Sequence, residues 1–162
     1  MKQIGVVCYG NIARSQVLGI YLKKFLNEEG IRNVRVYSVG TAPYEAYPNT
    51  PELIKEVKEK LKERGVFVKP KRNCWSDAAE MELKKSDVIL AADKERKNDV
   101  ISRLRGFPQD FVYTFYEFIS EGDKSFEDTY DYKKNAQNPV KFGKLFDELE
   151  RIARKIVNKL KK

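Results

Sequence analysis

Residues 8–15 read Cys8-Tyr9-Gly10-Asn11-Ile12-Ala13-Arg14-Ser15, with a short apolar run, Ile4-Gly5-Val6-Val7, before them and an amphipathic stretch, Gln16 to Asn27, after them. This order predicts a strand, a tight loop and a helix, with Cys8 closing the strand and Arg14-Ser15 opening the helix. Backbone N–H groups of such a loop point inward and the helix adds its positive pole, so the segment makes an anion site. Arg14 adds a planar fork of donors matched to two oxygens of a phosphate. A thiol in that cradle is a nucleophile aimed at a bound phosphorus, and Ser15 can donate a hydrogen bond to the thiolate. A lone cysteine at a strand end is more often a small buried apolar residue. Its neighbours outweigh that reading here. Gly10 permits a tight loop, and Asn11 is one of the few residue types that tolerate the left-handed region. Cys8 and Arg14 are thus the catalytic candidates, with Tyr9, Gly10, Asn11, Ile12, Ala13 and Ser15 around the bound group.

Outward from the octet, apolar runs alternate with amphipathic stretches. Strands are expected at Gln3–Val7, Val34–Ser38, Val88–Ala91 and Phe111–Thr114, where β-branched residues cluster or alternate. Helices are expected from Arg14 to Glu29, ending at Gly30, and from Thr50 to Arg64 with Thr50 as cap and Pro51 at the first position. Others run from Ser76 toward Lys84, from Asp93 to Leu104 and from Val140 to Leu160. The last carries Phe142, Leu145, Phe146, Leu149, Ile152 and Ile156 at helical spacing. The pattern predicts a single α/β domain over residues 1–162, a four-stranded parallel sheet with helices on both faces. Such sheets bind ligands at the carboxyl ends of their strands, where Cys8 falls.

Composition narrows the chemistry. The 162 residues suit one ordinary domain, and their apolar content is too high for disorder. The N-terminus lacks the features of a signal peptide, no apolar run reaches membrane-spanning length, and the chain holds two cysteines, so a reducing cytoplasm is expected. With no histidine, Ser-His-Asp and Cys-His mechanisms and His-ligated zinc are excluded, and any general acid is a carboxylic acid, tyrosine or lysine. The net charge of +8 concentrates in Lys55–Arg72 and Arg151–Lys162. It favours acidic phosphopeptides and nonspecific anions, without a motif for specific nucleic-acid recognition or a membrane partner. A monomer or weak oligomer is expected.

Val7-Cys8-Tyr9-Gly10-Asn11-Ile12-Ala13-Arg14-Ser15 resembles the active-site loop V-C-x-G-N-x-C-R-S of the low-molecular-weight protein tyrosine phosphatases. Ser38-Val39-Gly40-Thr41 is similar to the family's S-A-G-T, and Asp87-Val88-Ile89-Leu90-Ala91-Ala92-Asp93 to its D-x-I-L-x-M-D strand. Ala13 stands where the family usually has a second loop cysteine, Gln16 where it has proline, and no Asp-Pro pair occurs. The resemblance implies the family's fold and hydrolysis of phosphotyrosine or aryl phosphates through a cysteinyl-phosphate, with no metal or other cofactor. It implies that Ser38 steadies Asn11 and that Tyr44 and Tyr130 or Tyr132 wall the pocket. Its partners would be a phosphotyrosine-containing protein or a small aryl phosphate. Ile12 matches the tyrosine-directed members, whereas phosphoarginine-directed relatives usually carry threonine there.

The family's proton donor is the aspartate of an Asp-Pro-Tyr loop before the last helix. Asp128-Thr129-Tyr130 matches that triplet with threonine for proline, while Asp131-Tyr132 lies closer to the family's spacing from Phe142, so both aspartates stand as candidates. Crowding of Glu121, Asp123, Glu127, Asp128 and Asp131 is expected to raise some of their carboxyl pKa values. Two alternatives share the loop: a thioredoxin-coupled arsenate reductase, which needs nearby cysteines where only Cys74 remains, and a phosphate-binding module without efficient turnover.

Overall fold

The computed structural model describes residues 1–161. In chain order these form β1 (Gln3–Cys8), α1 (Arg14–Glu28), β2 (Arg35–Gly40), α2 (Thr50–Glu63), α3 (Asp77–Leu83), β3 (Val88–Ala91), α4 (Lys94–Arg103), β4 (Val112–Thr114), α5 (Phe115–Phe118), β5 (Tyr130–Asp131), β6 (Ala136–Gln137) and α6 (Pro139–Leu160). Strands β2-β1-β3-β4 make one sheet in that order, and every pair in it is parallel.

Strand alternation sorts the core into two layers. Ile4, Val6 and Cys8 of β1 and Leu90 of β3 join Leu18 and Leu22 of α1 and Phe146 and Ile152 of α6. Val7, Val39 and Ile89 point the other way, onto Leu83 of α3 and Val100 of α4. A four-stranded parallel sheet with helices on both faces is therefore what forms. Among the described residues, no helix is long and apolar enough to cross a membrane.

Three expected boundaries shift for local reasons. The second strand runs on to Gly40, which pairs with Cys8. Thr50 does not cap α2: it is the first helical residue, after Asn49, and its hydroxyl donates to Tyr47 O at 2.6 Å. Phe111 falls in a 3-10 turn rather than in β4. The β5–β6 hairpin and α5 have no periodic signal, being only two to four residues long. The expected helix ends at Ser76, Asp93 and Gly30 hold: Ser76 accepts from Ala79 N, Asp93 from Arg96 N, and Gly30 takes the left-handed conformation after α1. The last helix instead starts at Pro139, with Asn138 as an unexpected cap that accepts from Val140 N and Lys141 N.

Two features of the sheet place the site. Because β2 and β3 lie on opposite sides of β1, the crevice at the carboxyl ends opens where Cys8 and Asp93 leave β1 and β3. Gly40 lies directly beneath the loop that follows β1. A Cβ there would come within 2.7 Å of Tyr9 O and 2.8 Å of Asn11 N, both backbone atoms that cannot swing aside.

Two carboxylates of the acidic stretch before α6, Glu121 and Asp123, behave differently from expectation. Hydrogen bonds from Arg151 and Lys155 hold Glu121 down to about 2, and Lys94 lowers Asp123. Opposite charges from α4 and α6 reach these carboxylates and outweigh the repulsion within the run. A folded-state pKa below the unfolded one stabilises at pH values above the unfolded pKa and is lost as pH falls. Glu121→Gln is expected to lower Tm by about 1–3 °C at pH 7, the range for a partly exposed ion pair. By pH 2.5 most of that difference should have gone, which calorimetry at the two pH values would check.

Gly40 also links the two cysteines. It is the register partner of Cys8 and forms a parallel bridge with Cys74 on its other side. Two strand spacings separate their Cα atoms by roughly 10 Å, beyond the ~7 Å that a disulfide spans. Peroxide is expected to carry Cys8 to sulfenic and sulfinic acid. Detection by mass spectrometry of a Cys8–Cys74 disulfide, reversed by thiol, would contradict this.

Candidate active site

The loop from Tyr9 to Ala13 turns back over Gly40 by placing Asn11 at φ 52°. Asparagine accepts that conformation at low cost, and its side chain then spans the loop. Asn11 Nδ2 donates to Ser15 Oγ at 2.7 Å, and Ser15 Oγ lies 2.9 Å from Cys8 Sγ. With Asn11 occupying one acceptor site, the Ser15 hydrogen is free to point at sulfur. Asn11 N–H donates to the same sulfur at 3.1 Å. Both donors stabilise negative charge on a thiol that is only 2% exposed.

Helix α1 starts in this loop without a side-chain cap and with no acidic residue in its first turn. An uncapped, buried helix start presents orphan N–H groups, the donors an anion requires. Arg14, 4% exposed, supplies the formal charge. Its Nη1 donates to Asp93 Oδ2 at 2.7 Å and to Phe126 O at 3.0 Å, and its Nη2 lies 3.7 Å from Asp128 Oδ2. Burial alone would lower its pKa, but Cys8, Asp128 and Asp93 around it raise it, so the cation persists. Asp93 therefore has two duties: one oxygen caps α4 and the other orients Arg14.

A small cavity of about 20 Å³ is lined by Cys8, Ile12, Arg14, Tyr47, Asp128 and Tyr130, among others. Asp128 is held there at both oxygens: Oδ1 accepts from Tyr130 N–H at 3.1 Å and Oδ2 from the Tyr132 hydroxyl at 3.0 Å. Asp131 does not line this cavity. Its Oδ1 accepts from Lys133 N and Lys134 N, closing the turn between β5 and β6. Of the two aspartates, only Asp128 faces Cys8 and Arg14.

Two other expected placements are not what the structure shows. Ser38 makes no hydrogen bond to Asn11. Asn73 does so, its N–H donating to Asn11 Oδ1 at 2.7 Å while its side chain donates to Ser38 O. Tyr44 is 57% exposed and lies outside the cavity, and the wall is Tyr47, 3% exposed. The two are joined through Arg72, whose guanidinium donates to Gly10 O, Pro43 O, Tyr44 O and Thr50 Oγ1 and lies over both rings. Tyr9 stays at the rim beneath the Arg96 guanidinium, 4.7 Å from its ring centre. Gln16, at the position of the family's usual proline, donates to Asn11 O and Lys71 O and ties the loop to the same 71–73 segment.

A buried thiol with two donors, an anion cradle, a fixed guanidinium and a carboxyl facing them can transfer a phosphoryl group and handle the proton of its leaving oxygen. The family model described as low molecular weight phosphotyrosine protein phosphatase matches residues 3–162. No curated protein matches the chain. Among solved structures, a low molecular weight protein tyrosine phosphatase from T. tengcongensis is 25% identical, covering 98% of this chain and 99% of its own, with a TM-score of 0.77. A YwlE mutant from Bacillus subtilis is 26% identical over 100% of both chains, with a TM-score of 0.74. The YwlE arginine phosphatase, as a mutant with a phosphorylated active-site serine, shares the fold with a TM-score of 0.78 at 24% identity, covering 99% of this chain and 96% of its own. A match that runs almost from end to end, over the loop and sheet just described, shows that the chain belongs to the low molecular weight phosphotyrosine protein phosphatase family.

Proposed function

We propose that this phosphatase hydrolyses phosphotyrosine and other aryl phosphate monoesters through a cysteinyl-phosphate, with Cys8 as nucleophile and Asp128 as general acid. The observation that carries the reading is the convergence of Cys8, Arg14 and Asp128 on one cavity. Cys8 attacks phosphorus in line. The amides from Tyr9 to Ser15 and the Arg14 guanidinium hold the equatorial oxygens, and Asp128 protonates the departing aryl oxygen. Asp128, left as a carboxylate, then takes a proton from the water that hydrolyses the thiophosphate bond.

An aryl group suits the walls. Ile12 is apolar and buried, and Tyr47 and Tyr130 meet edge-to-face with centroids 5.0 Å apart. A guanidinium-borne phosphate, the kind of substrate named for the arginine phosphatase relative, would find no polar side chain at position 12. Cys74, two strands away from Cys8, does not suit the thiol relay of an arsenate reductase.

Purified protein is expected to hydrolyse p-nitrophenyl phosphate with EDTA present, and to prefer phosphotyrosine to phosphoarginine. Cys8→Ser should show no turnover while keeping inorganic phosphate binding within about threefold of wild type, since the amides and Arg14 remain. Turnover by Cys8→Ser would exclude the cysteinyl-phosphate.

Asp128→Asn is expected to reduce kcat/KM for phenyl phosphate by about 10²-fold or more, with a far smaller loss for p-nitrophenyl phosphate, whose leaving group departs nearly unaided. Asp131→Asn should change neither by more than about twofold, because it holds only a turn. The reverse pattern would move the acid to Asp131.

A further inference from the structure

Asp128 is not merely adjacent to tyrosines; it ends a chain of hydroxyls. The Tyr132 hydroxyl lies 3.0 Å from Asp128 Oδ2 and 2.7 Å from the Tyr47 hydroxyl, and either tyrosine can be the donor in that second contact. Tyr47 is 3% exposed and packed against Tyr9 and Tyr130, so the far end of the chain is fixed in the core. The other Asp128 oxygen is held by Tyr130 N–H. Asp128 sits in a loop between Phe126 and the two-residue strand β5, with its side chain 35% exposed. Apart from Arg14 Nη2 at 3.7 Å, little else restrains a carboxyl that must stay within reach of the substrate oxygen.

We propose that Tyr132, anchored by Tyr47, is a positioning residue that holds Asp128 over the cavity in both of its protonation states. The proposal rests on the reading of Asp128 as general acid. When Asp128 is ionised, Tyr47 donates to Tyr132 and Tyr132 donates to Oδ2. When Asp128 carries its proton on Oδ1, directed at the leaving oxygen, Oδ2 still accepts from Tyr132 and Tyr132 still accepts from Tyr47. The chain of hydroxyls keeps one direction in both states, no proton leaves either tyrosine, and the heavy atoms keep their places. Burial supports this: it pushes Tyr132 up to about 12, with the Asp128 charge adding to the effect, and raises Tyr47 further still. Both hydroxyls thus remain donors across the working pH range. A donor fixed on one carboxyl oxygen holds the group in both half-reactions and leaves the other oxygen to exchange the proton.

Tyr132→Phe removes the hydroxyl and keeps the ring that packs edge-to-face on Tyr130 at 4.8 Å. Its expected effect is a loss of about tenfold in kcat/KM for phenyl phosphate, less than about twofold for p-nitrophenyl phosphate, and no change in inhibition by inorganic phosphate, a displaced acid being felt only where the acid is needed. Tyr47→Phe should give the same pattern more weakly. In an Asp128→Asn background, Tyr132→Phe should add no further discrimination between the two substrates. Equal losses on both substrates, or none, in Tyr132→Phe beside a discriminating Asp128→Asn would overturn this proposal alone. If Asp128→Asn itself fails to discriminate, the assignment of the acid falls and the proposal falls with it. Unchanged circular dichroism and Tm would confirm that each variant is folded.

Discussion

The buried guanidinium of Arg14 joins three parts of the chain that are distant in sequence. A cation taken from water costs several kcal/mol unless donors and charges around it are satisfied. Here Asp93 at the end of β3, the carbonyl of Phe126 and the carboxylate of Asp128 meet that requirement. The consequence is mutual. Arg14 sits beside Cys8 only with the loop after β3 and the segment before β5 in place. It adds to the bonds that join them directly, Phe126 N–H to Ala92 O at 2.7 Å and Lys94 N–H to Ser125 Oγ at 3.0 Å. The site is therefore a product of the whole fold rather than of the octet that announces it.

A second constraint comes from below. The loop can lie on β2 only because Gly40 offers no side chain, and its turn is possible because Asn11 accepts a positive φ. Asn73 and Arg72 then grip it from the side, one through the Asn11 amide and the other through Gly10 O. Arg72 meets neutral oxygens at each of these contacts, so its charge remains felt at the mouth of the cavity. Together these contacts hold the donors in place before any substrate arrives, which is how preorganised electrostatics lowers a barrier.

The parts legible in the sequence are those whose causes are local. Strands β1 and β3 show as β-branched runs, the caps at Ser76 and Asp93 precede their helices, and the octet carries its own chemistry. Asn73, Arg72 and Tyr47 are not legible as site residues, nor is the second duty of Asp93. The contacts that define them link positions 62, 79 or 85 residues apart, and nothing in the neighbouring residues encodes the partner. Tyr44 and Tyr47 illustrate the limit. Both are tyrosines in one proline-bounded loop, both lie against Arg72, and only the distant contacts of Tyr47 with Tyr130 and Tyr132 decide which faces Cys8. The expected Ser38 contact fails for the same reason, because Asn73 reaches Asn11 from a segment with no periodic signature.

The hairpin that presents Asp128 has a different standing from the rest of the site. Cys8, Asn11 and Arg14 are rooted in β1 and α1, elements packed on both sides and as durable as the sheet itself. Asp128 is held by two-residue strands, the Tyr130 N–H, the Tyr132 hydroxyl and Arg14, fewer ties than the sheet has and the kind of segment that opens locally before it. With Asp128 as the proposed acid, opening of this hairpin ahead of the sheet would separate proton delivery from phosphate capture, leaving a folded protein that still binds phosphate and attacks activated esters. Its selectivity among leaving groups is then a thermometer for one hairpin, and decays while every spectroscopic sign of the sheet remains intact.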